Sequence, residues 1–240
     1  LHTQRSYQLL ETVAILEHGD TFYNIRDTNP DTRYRKTNLD ELYNLELVES
    51  VGLTRNIVEI SSFSGETKLL KLPAAVRRYV FSKLSLNKVY EISKNIAKVH
   101  LGKSWKTGNV KLCKLTMQQI KENDKVAGST QVLLAQLLKC SIELDISNDI
   151  KAAIRACRSY CKQISNGARY KEVISFSKHI RAIAKESNKI DSLAYFNMLE
   201  GYALRMLSMF KDAEPLLLNA LSDKEHLDKY DITQVLINLM

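Results

Sequence analysis

The feature that most constrains the fold is the pattern that runs from Asn87 to the last residue. Apolar residues recur there at helical spacing in segments of roughly 15–20 residues, and short polar turns separate the segments. Helices joined by such short turns must pack antiparallel against their neighbours. The pattern predicts an α-solenoid of helical hairpins. Its helices are predicted over residues 87–101, 112–123, 129–146, 149–164, 169–186, 190–207, 210–222 and 230–240.

One predicted hairpin carries more than periodicity. Small residues at 201, 213 and 220 would let two helices approach each other, and large residues at 204, 210 and 217 would fill the space between them. These residues are Gly201, Ala213, Ala220, Leu204, Phe210 and Leu217. Their spacing resembles a tetratricopeptide repeat, although Ser208 stands at the usual turn glycine and the closing proline is absent. The apolar pattern is unfinished at Met240, which indicates that the array continues beyond residue 240.

The first 85 residues have a different pattern. Helical spacing predicts helices over residues 7–17, 21–28 and 38–49, the last with Asn38 as its N-cap. Alternating apolar and polar residues over 56–63 and 68–72 then predict a β-hairpin, and Pro73 opens a closing helix, 74–84. Three helices, two strands and a closing helix are the layout of a winged helix. The fold class is therefore mainly α, with a winged-helix domain at 1–85 followed by a TPR-like α-solenoid at 86–240.

The distribution of charge supports this division. Residues 1–85 carry 11 basic and 11 acidic side chains, whereas residues 86–240 carry 24 and 16. The whole net charge of +8 therefore lies in the second part, as expected for two different domains.

Two strings of the first part resemble a known family. Leu39-Asp40-Glu41-Leu42-Tyr43-Asn44-Leu45-Glu46-Leu47-Val48-Glu49 and Leu72-Pro73-Ala74-Ala75-Val76-Arg77-Arg78-Tyr79-Val80 flank the predicted hairpin. They look like the winged-helix module of STAND-type signalling NTPases, in which helical repeats often follow. The resemblance implies a regulatory fragment whose repeats bind a protein partner and whose winged helix relays that event to an NTPase module upstream of Leu1, with self-assembly of the parent protein. Pro73 replaces the nucleotide-contacting His of some members, so that role is not carried over.

No catalytic centre is predicted, and we expect this chain neither to be an enzyme nor to hold a cofactor. The string Ala97-Lys98-Val99-His100-Leu101-Gly102-Lys103-Ser104 formally satisfies a permissive phosphate-loop pattern, but a predicted helix precedes it where such a loop needs a strand. A glycine helix stop is the preferred interpretation. Cys157 and Cys161 share a helical face without further metal ligands nearby, so they are predicted to pack in the core. Reduced cysteines and the absence of a signal or membrane segment favour the cytoplasm.

The candidate partner-binding residues lie in the predicted repeats. Four basic residues fall on one helix and two tyrosines on the next: Lys171, Lys178, Arg181, Lys185, Tyr195 and Tyr202. A solvated face and hairpin core are the simpler interpretations of the two groups. A stand-alone scaffold without an NTPase is one alternative function, and a phosphate loop upstream of Leu1 would argue against it. A winged-helix DNA-binding regulator is another, but the third predicted helix is acidic, and only Arg33, Arg35 and Lys36 precede it.

Overall fold

The structure is a computed structural model that describes residues 4–52, 68–113, 116–117, 128–187 and 193–240. Within these ranges the protein is mainly helical, as the sequence predicts, with a single two-stranded sheet. The chain divides into two compact units, Leu1–Ala153 and Ile154–Met240. This division falls inside a helix, whereas the sequence pattern changes near residue 85.

The first unit contains both strands and the shorter helices. In chain order its elements are α1 (Gln4–Ile15), α2 (Phe22–Ile25), α3 (Lys36–Asn44), β1 (Glu49–Gly52), β2 (Lys68–Lys71), α4 (Ala74–Ser82), α5 (Leu86–His100), a 3-10 turn (Trp105–Thr107) and α6 (Gly128–Glu143). The next helix, α7 (Ser147–Asn166), begins in the first unit and ends in the second. Residues 116–117 are helical, and the rest of the predicted helix 114–123 lies outside the described residues.

The second unit is built from longer helices. After α7 follow α8 (Tyr170–Ser187), α9 (Ala194–Met206), α10 (Phe210–Ser222), a 3-10 turn (Lys224–His226) and α11 (Lys229–Leu239). Their bounds agree with the predicted segments to within a few residues, because the apolar faces recur at the helical period over three or more turns.

In the first unit α1 is the central helix. It packs against α3, α4 and α5 and contributes the fully buried side chains of Leu9 and Val13. Ile25 of α2 and Leu42 of α3 are equally buried. One core therefore lies under the first three helices, which positions the short connections between them.

The sheet pairs β1 with β2 in antiparallel register, with Glu49 opposite Lys71 and Gly52 opposite Lys68. The second predicted strand matches β2, whereas β1 was not predicted and the predicted strand 56–63 lies outside the described residues. A separate bridge joins the α1–α2 connection to β2. The Asp20 N–H donates to the Leu70 carbonyl at 3.2 Å, and the Leu70 N–H donates to the Asp20 carbonyl at 2.7 Å.

The start of α3 differs from the prediction. The helix begins at Lys36, so Asn38, predicted as its N-cap, is instead its third residue. The Asn38 Oδ1 accepts a hydrogen bond from the Arg35 N–H at 2.9 Å, which is one half of a capping box. The predicted N-cap was wrong because a polar residue near a helix start can serve either position, and only the backbone path distinguishes them.

The predicted hairpin of residues 201–220 is formed by α9 and α10. Leu204, Ala213, Leu217 and Ala220 are buried, as the small-and-large pattern predicts. A Cβ atom built on Gly201 would lie 2.7 Å from the Cγ of Leu217, so a glycine is needed for this approach. Phe210, by contrast, is 58% exposed and does not fill the space between the helices.

One turn geometry ends four helices. The residue after the helix is left-handed in each case: Glu46 (φ 55°), Asp145 (φ 57°), Ala168 (φ 56°) and Ser208 (φ 60°). The N–H of the following residue then donates to the carbonyl five residues earlier: Leu47 to Leu42, Ile146 to Ser141, Arg169 to Ile164 and Met209 to Leu204. This is the Schellman motif, which satisfies helix carbonyls that have no partner within the helix. Its repetition after α6, α7 and α9 makes the helical turns alike.

Candidate functional site

The basic residues that the sequence singles out on α8 differ in their surroundings. Lys171, Lys178 and Lys185 are all exposed. They are spaced seven residues apart, which is nearly two full turns of an α-helix, so they lie along one side of α8. This exposed lysine row is the part of the predicted partner-binding set that solvent reaches most readily.

Arg181 belongs to a buried network between α8 and α9. Its Nη1 donates to Oδ1 of Asn197 at 2.8 Å, and its Nη2 donates to Oε2 of Glu200 at 2.5 Å. Burial raises the pKa of the Glu200 carboxyl, although Arg181 and Lys178 act in the opposite direction. The Lys178 Nζ lies 3.9 Å from Oε1 of Glu200. Arg181 therefore joins two helices, and Lys178 lies at the edge of that contact.

Tyr195 and Tyr202 lie seven residues apart on α9, and both are partly buried. The Arg158 guanidinium lies 4.5 Å from the centre of the Tyr195 ring, and burial raises the pKa of that tyrosine. Tyr202 packs edge-on against Tyr170, with ring centroids 6.0 Å apart. Both rings therefore contribute to packing inside the second unit, and only part of each is accessible to a partner.

A buried polar cluster, which the sequence analysis did not identify, lies in the first unit. Asp20 and His100 are 1% and 2% exposed, and the His100 Nε2 lies 2.6 Å from the Asp20 Oδ2. The Asp20 Oδ1 accepts hydrogen bonds from the Thr21 N–H at 2.7 Å and from the Asn24 Nδ2 at 2.9 Å. A carboxylate buried this deeply requires such partners, because desolvation strongly disfavours an isolated charge.

Gly19 brings further elements to the Asp20–His100 cluster. Its φ is +78°, and a Cβ atom here would lie 2.5 Å from the Leu70 carbonyl oxygen. Its own carbonyl accepts a hydrogen bond from the Ser129 hydroxyl of α6 at 3.1 Å. The α1–α2 connection therefore contacts β2, α5 and α6 at once. A glycine directly before an aspartate was the available sequence signal, and it predicted only the end of α1.

The phosphate-loop-like string does not have phosphate-loop geometry. Ala97 and His100 lie in the last turn of α5, and Gly102 follows with a φ of +84°. A 3-10 turn with the buried Trp105 comes next. A phosphate loop requires a strand before it and a helix N-terminus after it. The segment is instead the glycine helix stop that the sequence predicts.

The thiols of Cys157 and Cys161 are fully buried on α7. Burial raises the pKa of both, that of Cys161 to about 12, so they remain neutral and pack as small apolar groups. In the part of the chain that the structure describes, no group of three or more His, Cys, Asp or Glu side chains could hold a metal ion. Nor does any described helix have the length and apolar character needed to cross a membrane.

Comparison of the chain with protein-family models, with curated proteins and with solved structures found no match. What the protein does is therefore inferred from its own residues.

Proposed function

We propose that this chain is a regulatory part of a signalling NTPase in the cytoplasm. Its helical repeats would bind a protein partner, and its winged-helix domain would relay that binding to an NTPase module of the parent protein. The observation that carries the proposal is the contact between Asp20 and His100. It joins the α1–α2 connection, which pairs with β2, to α5, the first helix after the winged-helix region.

A buried polar contact of this kind suits a relay. Polar partners in a close-packed interior have a defined geometry, and separating them leaves buried groups without hydrogen bonds. A displacement of α5 therefore has two outcomes: Asp20 and the paired Leu70 move with it, or the contact with His100 is lost. Either outcome gives the two discrete arrangements that a switching element needs.

The exposed lysine row supports an acidic surface on the partner. Between residues 147 and 187 the chain carries nine basic and three acidic side chains. Complementary charge accelerates association and selects among partners. Helical repeats expose long surfaces of this kind, and α7 belongs in part to both compact units.

DNA binding through α3 has less support. Asp40 is exposed on that helix, and the nearby Arg33 is paired with Asp27 at 2.7 Å. A carboxylate facing the groove would repel phosphates, and the pairing reduces the positive charge available beside it.

The test is affinity capture from a lysate of the source with three forms of the whole chain, run with nuclease and at low and high salt. The forms are the wild type, the double variant Lys171→Glu/Lys185→Glu and the control Lys211→Glu/Lys224→Glu. The control changes charge equally at exposed positions, and Lys211 is the second residue of α10 as Lys171 is of α8. We expect one protein to be retained by the wild type and the control and lost by the first variant.

The relay is then tested with that purified partner by hydrogen exchange. We expect binding to change the protection of amides in β2 and at the end of α5. Equal capture by all three forms would overturn the role of the lysine row, and unchanged amides in β2 would overturn the relay. Recovery of nucleic acid that disappears at high salt would favour the DNA-binding alternative.

A further inference from the structure

A small polar cavity lies in the first unit between α1, α5 and the loop 28–34. Its volume is about 160 Å³, and the side chains that line it include Gln8, Glu11, Tyr34, Lys88 and Asn95. A water molecule takes up about 30 Å³ in the liquid, so the cavity has room for a ligand of about five non-hydrogen atoms.

The charges around the cavity favour a cation. Glu11 is only 6% exposed, and its Oε2 lies 3.4 Å from the Nζ of Lys88, a side chain that is 45% exposed. Asp31 and Glu91 also line the cavity, so three carboxylates face one lysine there. Glu91 is in turn paired with Lys94 at 2.7 Å. The buried Glu11 carboxylate therefore has one half-exposed lysine as its counter-charge, and an entering cation can replace it.

The walls of the cavity are held in place by their own hydrogen bonds. The hydroxyls of Thr12 and Tyr34 lie 3.0 Å apart, and the Asn29 Nδ2 donates to the Gln8 Oε1 at 3.2 Å. The Asn29 Oδ1 also accepts from the Asp31 N–H at 3.0 Å, which orders the loop. A cavity that is already ordered loses little conformational entropy when a ligand enters.

We propose that this cavity binds the primary ammonium group of a small alkylamine. An ammonium has three N–H donors, which match the Glu11 carboxylate together with the amide and hydroxyl oxygens beside it. Lys88 acts as an internal competitor, because its own ammonium occupies the same carboxylate in the unliganded protein. This proposal is independent of the regulatory function proposed above.

The test is isothermal titration calorimetry of the whole chain with butylammonium chloride. Butanol and tetramethylammonium chloride are the matched probes, since the first lacks the charge and the second lacks the N–H donors. We expect saturable binding of butylammonium alone. A capped lysine, Nα-acetyl-lysine methylamide, separates a free amine from the side chain of a bound protein: if it binds as well, the natural ligand is a lysine side chain.

Two variants have opposite expected effects. Glu11→Gln should abolish the binding, and Lys88→Ala should tighten it about two- to fivefold, the change that removal of a competing half-exposed ion pair allows. Lys103→Ala, at an exposed lysine outside the cavity, should leave the affinity unchanged. If Glu11→Gln does not fold, Lys88→Ala still decides. No saturable heat with butylammonium, equal binding of tetramethylammonium, or an unchanged affinity in Lys88→Ala would each overturn the proposal.

Discussion

The Nε2 of His100 lies 2.6 Å from the carboxylate of Asp20, although 80 residues of chain separate them, and both side chains are buried. Asp20 also pairs with Leu70 through its backbone. A single residue between α1 and α2 therefore connects the sheet with the end of α5.

Replacing His100 should destabilise the first unit. In His100→Leu the Asp20 carboxyl keeps its contacts with Thr21 and Asn24 but loses its remaining partner in buried surroundings. We expect the free energy of unfolding, measured with urea, to fall by about 2–4 kcal/mol. The control is His226→Leu, which removes a contact of 3.3 Å with Glu225 on the surface and should cost less than about 0.5 kcal/mol. Equal small losses in the two variants would contradict the role of the buried pair.

Gly201→Ala should destabilise the hairpin of α9 and α10. The added Cβ would lie 2.7 Å from the Cγ of Leu217, which is 1% exposed and has little room to move. Overpacking should outweigh the helix preference for alanine, for a net loss of about 1–2 kcal/mol in urea unfolding.

Two further variants test this explanation of Gly201. Gly52→Ala serves as a control because no heavy atom lies within 4 Å of its added Cβ, and it should be close to neutral. In a Leu217→Ala background the clash disappears, so Gly201→Ala should there stabilise the protein. A loss that persists in that background would show that Leu217 is not the cause.

Ala168→Gly should stabilise the protein. Ala168 has a φ of +56° after α7, a conformation that costs an L-residue about 1–2 kcal/mol and costs glycine almost nothing. Part of this gain is offset by the greater freedom of glycine in the unfolded chain, so we expect a net increase of about 0.5–1 kcal/mol in the free energy of unfolding. Ala182→Gly, on the exposed side of α8, should instead cost about 1 kcal/mol. Thermal unfolding of both variants would show shifts of opposite sign.

Asp149 should make stability depend on pH in the acid range. Burial alone would raise the pKa of this carboxyl, but the hydrogen bonds from Lys106, at 2.6 Å, and from Tyr90 outweigh it and hold the pKa below its usual 3.8. A carboxyl with a lowered pKa stabilises the folded state above the unfolded value, and that stability is lost as pH falls through the folded pKa. We expect Asp149→Asn to cost about 1.5–3 kcal/mol at neutral pH and progressively less below about pH 4. Urea unfolding of both proteins across this range is the measurement, and a constant difference would contradict the assignment.

Local patterns determined most of the helices. The helix predicted over residues 210–222 has the observed bounds Phe210–Ser222, and the one predicted over 149–164 extends only slightly further, to Ser147–Asn166. The pairing of Gly201 with Ala213 and Leu217 was also predictable, because the two helices are consecutive and a short turn limits how they can meet. The periodicity of apolar residues is a property of neighbouring positions, so it can be read without knowledge of distant contacts.

Only the tertiary structure decided which distant side chains meet. His100 resembled any other scattered histidine until folding placed it against Asp20, and Arg181 was one of four similar cations on α8 until Glu200 of α9 engaged it. The same holds for Phe210, whose exposed position contradicts the space-filling role predicted for it. A sequence specifies the preferences of each segment, but burial and pairing of a polar side chain depend on the element that packs over it, which another part of the chain supplies.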